Sequence, residues 1–568
     1  MVQLAEGESE SRRLFRDFLR NSYISGLQPF LFETSVRYAK ALWLTFLAVI
    51  VVSTHIVIVN LTLEYIVQPT EIHMSPNQVH VANSPFPAVA ICSSNMISKR
   101  QMQTYAAKIY LHQSTHNPQP SGNSSFYSPI ESPQLEVLAR RLLLLANFYL
   151  HAHDESQLDV DELGQLHRLL SSYHNGSDYS VHDILRELSP DCGDLVLRGI
   201  IYGAPVNTSQ LFIKRTTSSG VCCIFNYRRP SDSQYPWKRA LEDAELYALP
   251  HVMFESNSIL NGIQFVLQDT TKDDYTMTYF SNTAFRLQLF PKDDYATIQS
   301  NTNGAILVDH ETIVEIPIQP KFFDSSAAVR GVTPETRRCY FSEEGKKILN
   351  QSYYSMDECL LRCRIDSMLQ HCGCVSSPLA GSVMNITYCT LLDLPCLMKW
   401  KRVWFSYTEF PYVHQDNEEI ETGIDQCKHC LPTCNGVDFE IVSNVAPLRR
   451  TYNSSGYFHG LLKGLTNDRP LSIIKLFFRL RFAQATEMDM VGDWVVLLNR
   501  FGGILSLMYG FSIISYIEIL YYLTGKWFVY YYRACSNKMK GAKTDANVYT
   551  FHWNELQPRA AARSVRKP

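Results

Sequence analysis

The stretch NRFGGILSLMYGFSIISYIEILYY, residues 499–522, decides how the rest of the chain is read. It is apolar and long enough to cross a bilayer, which takes ~20 residues of helix. Its interior is poorly suited to plain contact with lipid. Gly502, Gly503 and Gly510 punctuate it, Ser506, Ser512 and Ser515 line it, and Glu518 stands in its lower half. A carboxylate in hydrocarbon costs at least ~2.5 kcal/mol and so faces a bundle interior or water. Glycine inside a helix costs ~1 kcal/mol relative to alanine, so three of them point to close backbone approach or local unwinding. Small residues alone most often serve helix packing in membranes. Glu518 turns the reading toward a wall that faces water and ions.

Working outward, a second apolar run, ALWLTFLAVIVVSTHIVIVNLTLEYIV at residues 41–67, is too long for a signal-peptide core and reads as a first membrane helix. His55 and Asn60 interrupt it. Residues 1–40 are polar and mixed in charge, without a signal-peptide pattern. Two spans place both termini on one side. Arg37 and Lys40 precede the first span, and Lys526, Arg533, Lys538 and Lys540 follow the second. Such short basic flanks stay cytoplasmic. The expected order is a cytoplasmic segment 1–40, a first span 41–67, an extracellular domain 68–494, a second span 495–523 and a cytoplasmic tail 524–568. Cysteine usage agrees: fourteen of the fifteen lie in the middle segment, as in an oxidising compartment. So do glycosylation sequons at Asn123, Asn175, Asn207, Asn350, Asn385 and Asn453, while neither tail holds one. With 568 residues the chain exceeds one compact core, and a net charge of -3 gives no reason to expect a nucleic-acid partner.

Within the middle segment, FPAVAIC from Phe86 is a short strand-type run ending in Cys92, and residues 98–189 read as polar-rich helix. The run Leu142–Leu145, abutted by Arg140 and Arg141, is too short to span and reads as a packed helix face. Alternation then marks strands at GIQFVLQ from Gly262, TAFRLQLF from Thr283 and TIVEIPIQPKFF from Thr312, with one more, LSIIKLFFRLRF, from Leu471. Between them lies a cysteine-dense segment: Cys339, Cys359, Cys363, Cys372, Cys374, Cys389, Cys396, Cys427, Cys430 and Cys434. Cys359 and Cys363 share a face if YYSMDECLLRCRIDSMLQ is helical. A nested ladder, Cys339 to Cys434, Cys359 to Cys430, Cys363 to Cys427, Cys372 to Cys396 and Cys374 to Cys389, would staple a returning strand along that helix. Spacing leaves other connectivities open. A zinc reading of Cys427-Lys-His-Cys430 and Cys372-Gly-Cys374 conflicts with the oxidising side.

Together these residues resemble the degenerin/epithelial sodium channel family and, within it, the insect pickpocket branch, over about residues 22–522. FPAVAIC is similar to the family's segment after the first span, RRCYF at Arg337 to the start of its disulfide-laddered thumb (residues 338–435), and Gly510-Phe511-Ser512 to its Gly-x-Ser selectivity filter. The resemblance implies an α+β membrane protein: two transmembrane helices, a large disulfide-rich extracellular domain with a β-sheet palm, helical finger and thumb, and a trimeric channel in the plasma membrane. It implies passive, sodium-selective conduction blocked by amiloride, with homo- or heterotrimers of sister subunits set in lipid. Ser506 matches the amiloride-contacting position, Glu518 the acidic position below the filter, and Asn499 the degenerin position where bulk favours the open pore. It further suggests bridges from Cys92 to Cys222 and from Cys192 to Cys223, the adjacent pair leaving the exchange open.

Departures accompany the match. The family's His-Gly gating motif stands here as Ser25-Gly26, so only Gly26 carries over. Arg500 replaces an acidic residue of the acid-sensing branch, and a positive charge at the outer mouth opposes cations unless it is paired or turned aside. No tryptophan precedes Cys339, and Gly199 and Thr208 stand near an extra cysteine pair of many relatives. The different-class reading is a two-span glycoprotein receptor of the scavenger-receptor type, which has no use for Glu518 or the glycines. A ligand-gated trimer of the purinergic type lacks FPAVAIC and this cysteine spacing. No catalytic, metal or cofactor site is expected, and His151 and His153 read as surface residues. Cys535 is a palmitoylation candidate or a plain thiol, and the tail with Arg559, Arg563, Arg566 and Lys567 is basic.

Overall fold

The computed structural model describes residues 37–526, apart from 82–83, 117–132, 150–158, 177–178, 202, 218, 228, 230–261, 271–273, 279–281, 297–304, 350–352, 377–385, 406–411, 414–418, 421–426, 450–460, 466–468 and 493, with isolated positions outside that range. The chain divides into two compact units: Gln68–Val491, and Met1–Val67 with Gly492–Pro568.

The larger unit is framed by a nine-stranded sheet. Its spine is Thr312–Ser325, in which Val314, Ile316 and Ile318 are buried with the two-residue period of a strand. One side of this strand pairs in parallel with Leu471–Phe478 and then with Phe482–Met490; antiparallel partners are Gly436–Ile441 and Asn444–Pro447. Leu471–Phe478 continues the sheet to Ile263–Gln268 and Val196–Ile201. Residues 471–482, which read from sequence as one strand, are therefore parts of two. Every residue of Leu471–Phe478 is buried, while Arg479, Leu480 and Arg481 between the strands are exposed or nearly so.

At the opposite edge Thr70–His80 runs antiparallel to Phe482–Met490, and the Val491 amide donates to the Pro69 carbonyl at 2.8 Å. The strand that follows the first apolar helix and the strand that precedes the broken one thus end on a single rung.

A five-stranded sheet, in the order Ile306–Val308, Phe285–Phe290, Ala88–Cys92, Gly220–Phe225 and Phe212–Thr217, packs on the first. Their shared core joins Val89, Ile91, Phe225 and Leu287 to Phe265, Ile316 and Leu476. Helices Lys99–His116, Pro133–Leu142, Val160–Tyr173 and Val181–Leu188 form a separate layer. Asp159 and Ser180 cap the last two by accepting backbone N–H bonds. Leu142 and Leu145, the former closing one helix and the latter in a 3₁₀ turn, are fully buried in this layer's core together with Leu361, Ile365 and Met368 of the helix Met356–Cys372.

The second unit holds the helix Arg37–Val67 and two shorter helices, Trp494–Tyr509 and Ile513–Leu520. Among the described residues Ala41–Val67 is the one unbroken helix long and apolar enough to cross a membrane. Leu47, Ile50, Thr54, Ile58, Leu61 and Tyr65 are among its less exposed positions and recur at three- and four-residue spacing, a packing stripe. The hydroxyls of Thr45, Ser53, Thr54 and Thr62 donate to carbonyls three or four residues back, so they need no outside partner.

Candidate functional site

The organising stretch is helical but broken. Trp494–Tyr509 runs for 16 residues and stops at Gly510, whose φ of 62° is left-handed. The Gly510 amide donates to the Ser506 carbonyl at 2.8 Å, a left-handed C-cap that glycine adopts without a side-chain penalty. Ser512 is extended and starts the next helix, Ile513–Leu520. Its hydroxyl accepts from the Ser515 amide and the Ser515 hydroxyl accepts from the Ser512 amide, each at 3.3 Å. This reciprocal cap satisfies two backbone donors that the break would strand. The two half-helices meet at 80°.

Of the three glycines in the stretch, only Gly510 breaks the helix. Gly502 and Gly503 remain helical, with no atom within 4 Å of where a side chain would begin. Asn499, Gly503, Ser506 and Gly510 follow one another at four-, three- and four-residue spacing and so share a face, and all are exposed. Ser512 is exposed, Phe511 half-buried, and Ser515 fully buried. Glu518, one turn beyond Ser515, is half-buried. Arg500 is exposed beside this face. The sequence places Ser515 with Ser506 and Ser512 along the lining; here it is buried instead, as the partner of Ser512 in the helix cap.

In the larger unit the seven bridges are Cys92–Cys222, Cys192–Cys223, Cys339–Cys434, Cys359–Cys430, Cys363–Cys427, Cys372–Cys396 and Cys374–Cys389. The cysteines weighed as zinc ligands are all in these bridges. Cys363 and Cys359 stand on the helix Met356–Cys372, which Gly373 ends in a left-handed cap. The rung Cys339–Cys434 is tied to the nine-stranded sheet: Ser325 Oγ donates to the Cys434 carbonyl, and Ser326 Oγ donates to Asp489 Oδ1 at 2.7 Å. The latter bond holds the Asp489 carboxyl below its usual range.

A second polar centre had no sequence signal. Arg229 Nη2 lies 2.6 Å from Glu358 Oε1, with Nε 3.0 Å from Oε2, and both side chains are buried. The guanidinium stands over the Tyr295 ring. Neighbouring Asp294 is half-buried with its carboxyl enclosed; desolvation, with Glu358 and Asp293 adding repulsion, pushes it up to about 6 against the pull of Ser355 and Arg229.

Of the sequons, Asn175 and Asn207 are exposed, and Asn207 Oδ1 accepts from both the Ser209 amide and hydroxyl. Asn123, Asn350, Asn385, Asn453, Gly26 and Cys535 lie outside the described residues.

A long apolar helix, a second apolar helix broken at Gly-Phe-Ser and a disulfide-stapled domain between them define a membrane protein whose polar groups cluster at the break. The family model described as "Amiloride-sensitive sodium channel" matches residues 18–522, and the chain belongs to that family, one of ion channels rather than enzymes. The chain is 23% identical over 517 residues to sodium channel protein Nach of Drosophila melanogaster, covering 90% of this chain and 87% of that one. It is 23% identical over 546 residues to pickpocket protein 28 (89% and 77% covered) and 22% identical over 531 residues to pickpocket protein 19 (90% and 91%), both of the same fly.

Proposed function

We propose that the chain is one subunit of a trimeric, sodium-selective, amiloride-blocked channel in the plasma membrane, with both termini cytoplasmic and Gln68–Val491 outside. The observation that carries this reading is the break at Gly510-Phe511-Ser512, placed inside an apolar helix and within the family match. Around a threefold axis the exposed Gly510 and Ser512 groups of each subunit form a narrow oxygen ring that replaces part of a cation's water shell. Asn499 and Ser506 line the approach on the same helix face, Ser506 being the amiloride contact. Three Glu518 carboxylates below the ring keep the inner mouth negative and repel anions. Gly26 and Asn499 are the gating positions. The scavenger-receptor alternative explains neither the break nor the family.

The test is expression in oocytes, alone and with a sister subunit, with Asn499 replaced by a larger residue to favour opening. Inward sodium current that amiloride removes is the expected result. Delivery to the cell surface with no such current in either setting is the result that counts against the reading.

A further inference from the structure

We propose that Arg500 of each subunit pairs with Glu64 of the neighbouring copy, forming a polar seam between adjacent membrane segments. The inference rests on the multimeric channel reading above and names the contact that holds its outer rim together.

Glu64 and Arg500 are opposite charges near the ectodomain ends of two apolar helices, three residues inside Val67 and six inside Trp494 respectively. At ~1.5 Å per residue they start ~4.5 Å and ~9 Å below those ends. Side chains lean toward the N-terminus of their own helix. Glu64 therefore leans away from the ectodomain end and Arg500 toward it, so the two converge on one level. Both residues are exposed, and among the described residues neither makes a hydrogen bond or an ion pair. A lone charge at that depth is costly, and a partner of opposite sign relieves it.

Geometry favours another copy over the same chain. The helix Arg37–Val67 packs through the stripe containing Leu47, Thr54, Ile58 and Tyr65, and Glu64 lies about a quarter turn off it. On Trp494–Tyr509 the less exposed positions include Leu497, Phe501, Ile504 and Leu505, and Arg500 is again about a quarter turn away. The two helices touch within one chain, yet these charges sit on the flanks left open. Asn60, one turn inward from Glu64 on the same flank, is also exposed and offers the guanidinium a second acceptor. Five donors in a fixed fork suit arginine to such a shared site. Pairing also withdraws the Arg500 charge from the outer mouth, where it would repel cations.

Full-length protein carrying Glu64→Cys and Arg500→Cys together, oxidised in membranes and run without reductant, is expected to give a ladder up to the trimer; each single variant is expected to stay monomeric. A monomer-only result, while an amine cross-linker still yields multimers, overturns the pairing and leaves the channel reading intact. Monomer with both treatments overturns the multimer reading and the pairing with it. Charge exchange supplies an independent readout. Glu64→Arg or Arg500→Glu alone should cut amiloride-sensitive current about tenfold, and the combined exchange should recover most of it. Losses that multiply in the combined variant overturn the proposal.

Discussion

Asp294 and Gly510 show how single residues carry cost that their surroundings offset. The Asp294 carboxyl, ordinarily near 3.8, is pushed up to about 6 by burial. A carboxyl raised in the folded state binds its proton more tightly there than in the unfolded chain. Its contribution to stability is therefore fullest below about pH 4 and is lost as pH rises through about 6. Asp294→Asn should remove that dependence and stabilise the protein at pH 7.4 by about 1–2 kcal/mol. Thermal unfolding of the detergent-solubilised chain between pH 4 and 8 reads this directly; an unchanged profile would show that Asp294 is solvated. Gly510 carries a different cost. An alanine at φ 62° costs about 1–2 kcal/mol, which favours straightening the break. Gly510→Ala should lower sodium selectivity, seen as a reversal potential moving toward that of a non-selective cation pore.

Among the elements, the disulfide ladder and the strands differ in how far sequence reveals them. Cys363–Cys427 bridges residues 64 apart and Cys359–Cys430 residues 71 apart, so each removes about 4 kcal/mol of chain entropy from the unfolded state. Cys363→Ser with Cys427→Ser is expected to lower the melting temperature by several degrees while leaving the remaining bridges formed, as mass mapping of non-reduced peptides would check. The partners of Cys222 and Cys223 were open from sequence because the two are neighbours. Their strand settles the matter: successive side chains point to opposite faces, so Cys222 meets Cys92 across one face and Cys223 meets Cys192 across the other. Thr312–Ser325 was legible through its alternating burial. Leu471–Phe478 was not bounded correctly, because a strand covered on both faces has no alternation to lose at its end. Of the site, the apolar stretch and its glycines were visible and the family resemblance singled out Gly510; the structure adds that the helix breaks there while Gly502 and Gly503 stay helical. The Arg229–Glu358 pair was invisible for a simpler reason: its members are 129 residues apart and share no local pattern.

For the whole molecule, the proposed arrangement has outside and inside faces that can be checked chemically. Asn175 and Asn207 are exposed in the unit Gln68–Val491, which is proposed to lie outside. Asn175→Gln and Asn207→Gln should each remove one glycan step from the mass of protein made in cells, and endoglycosidase should erase the difference. Equal masses before and after would place that unit on the wrong side. The single rung joining Val491 to Pro69 closes the strand pair Thr70–His80 and Phe482–Met490 at its end, within the same unit. The path proposed for sodium is pinched at Gly510 and Ser512. The most direct measurement is current through Ser512→Cys channels before and after a small, positively charged thiol reagent. The account expects modification to abolish amiloride-sensitive sodium current; a conducting channel whose current is unchanged after verified modification of Cys at 512 would contradict it.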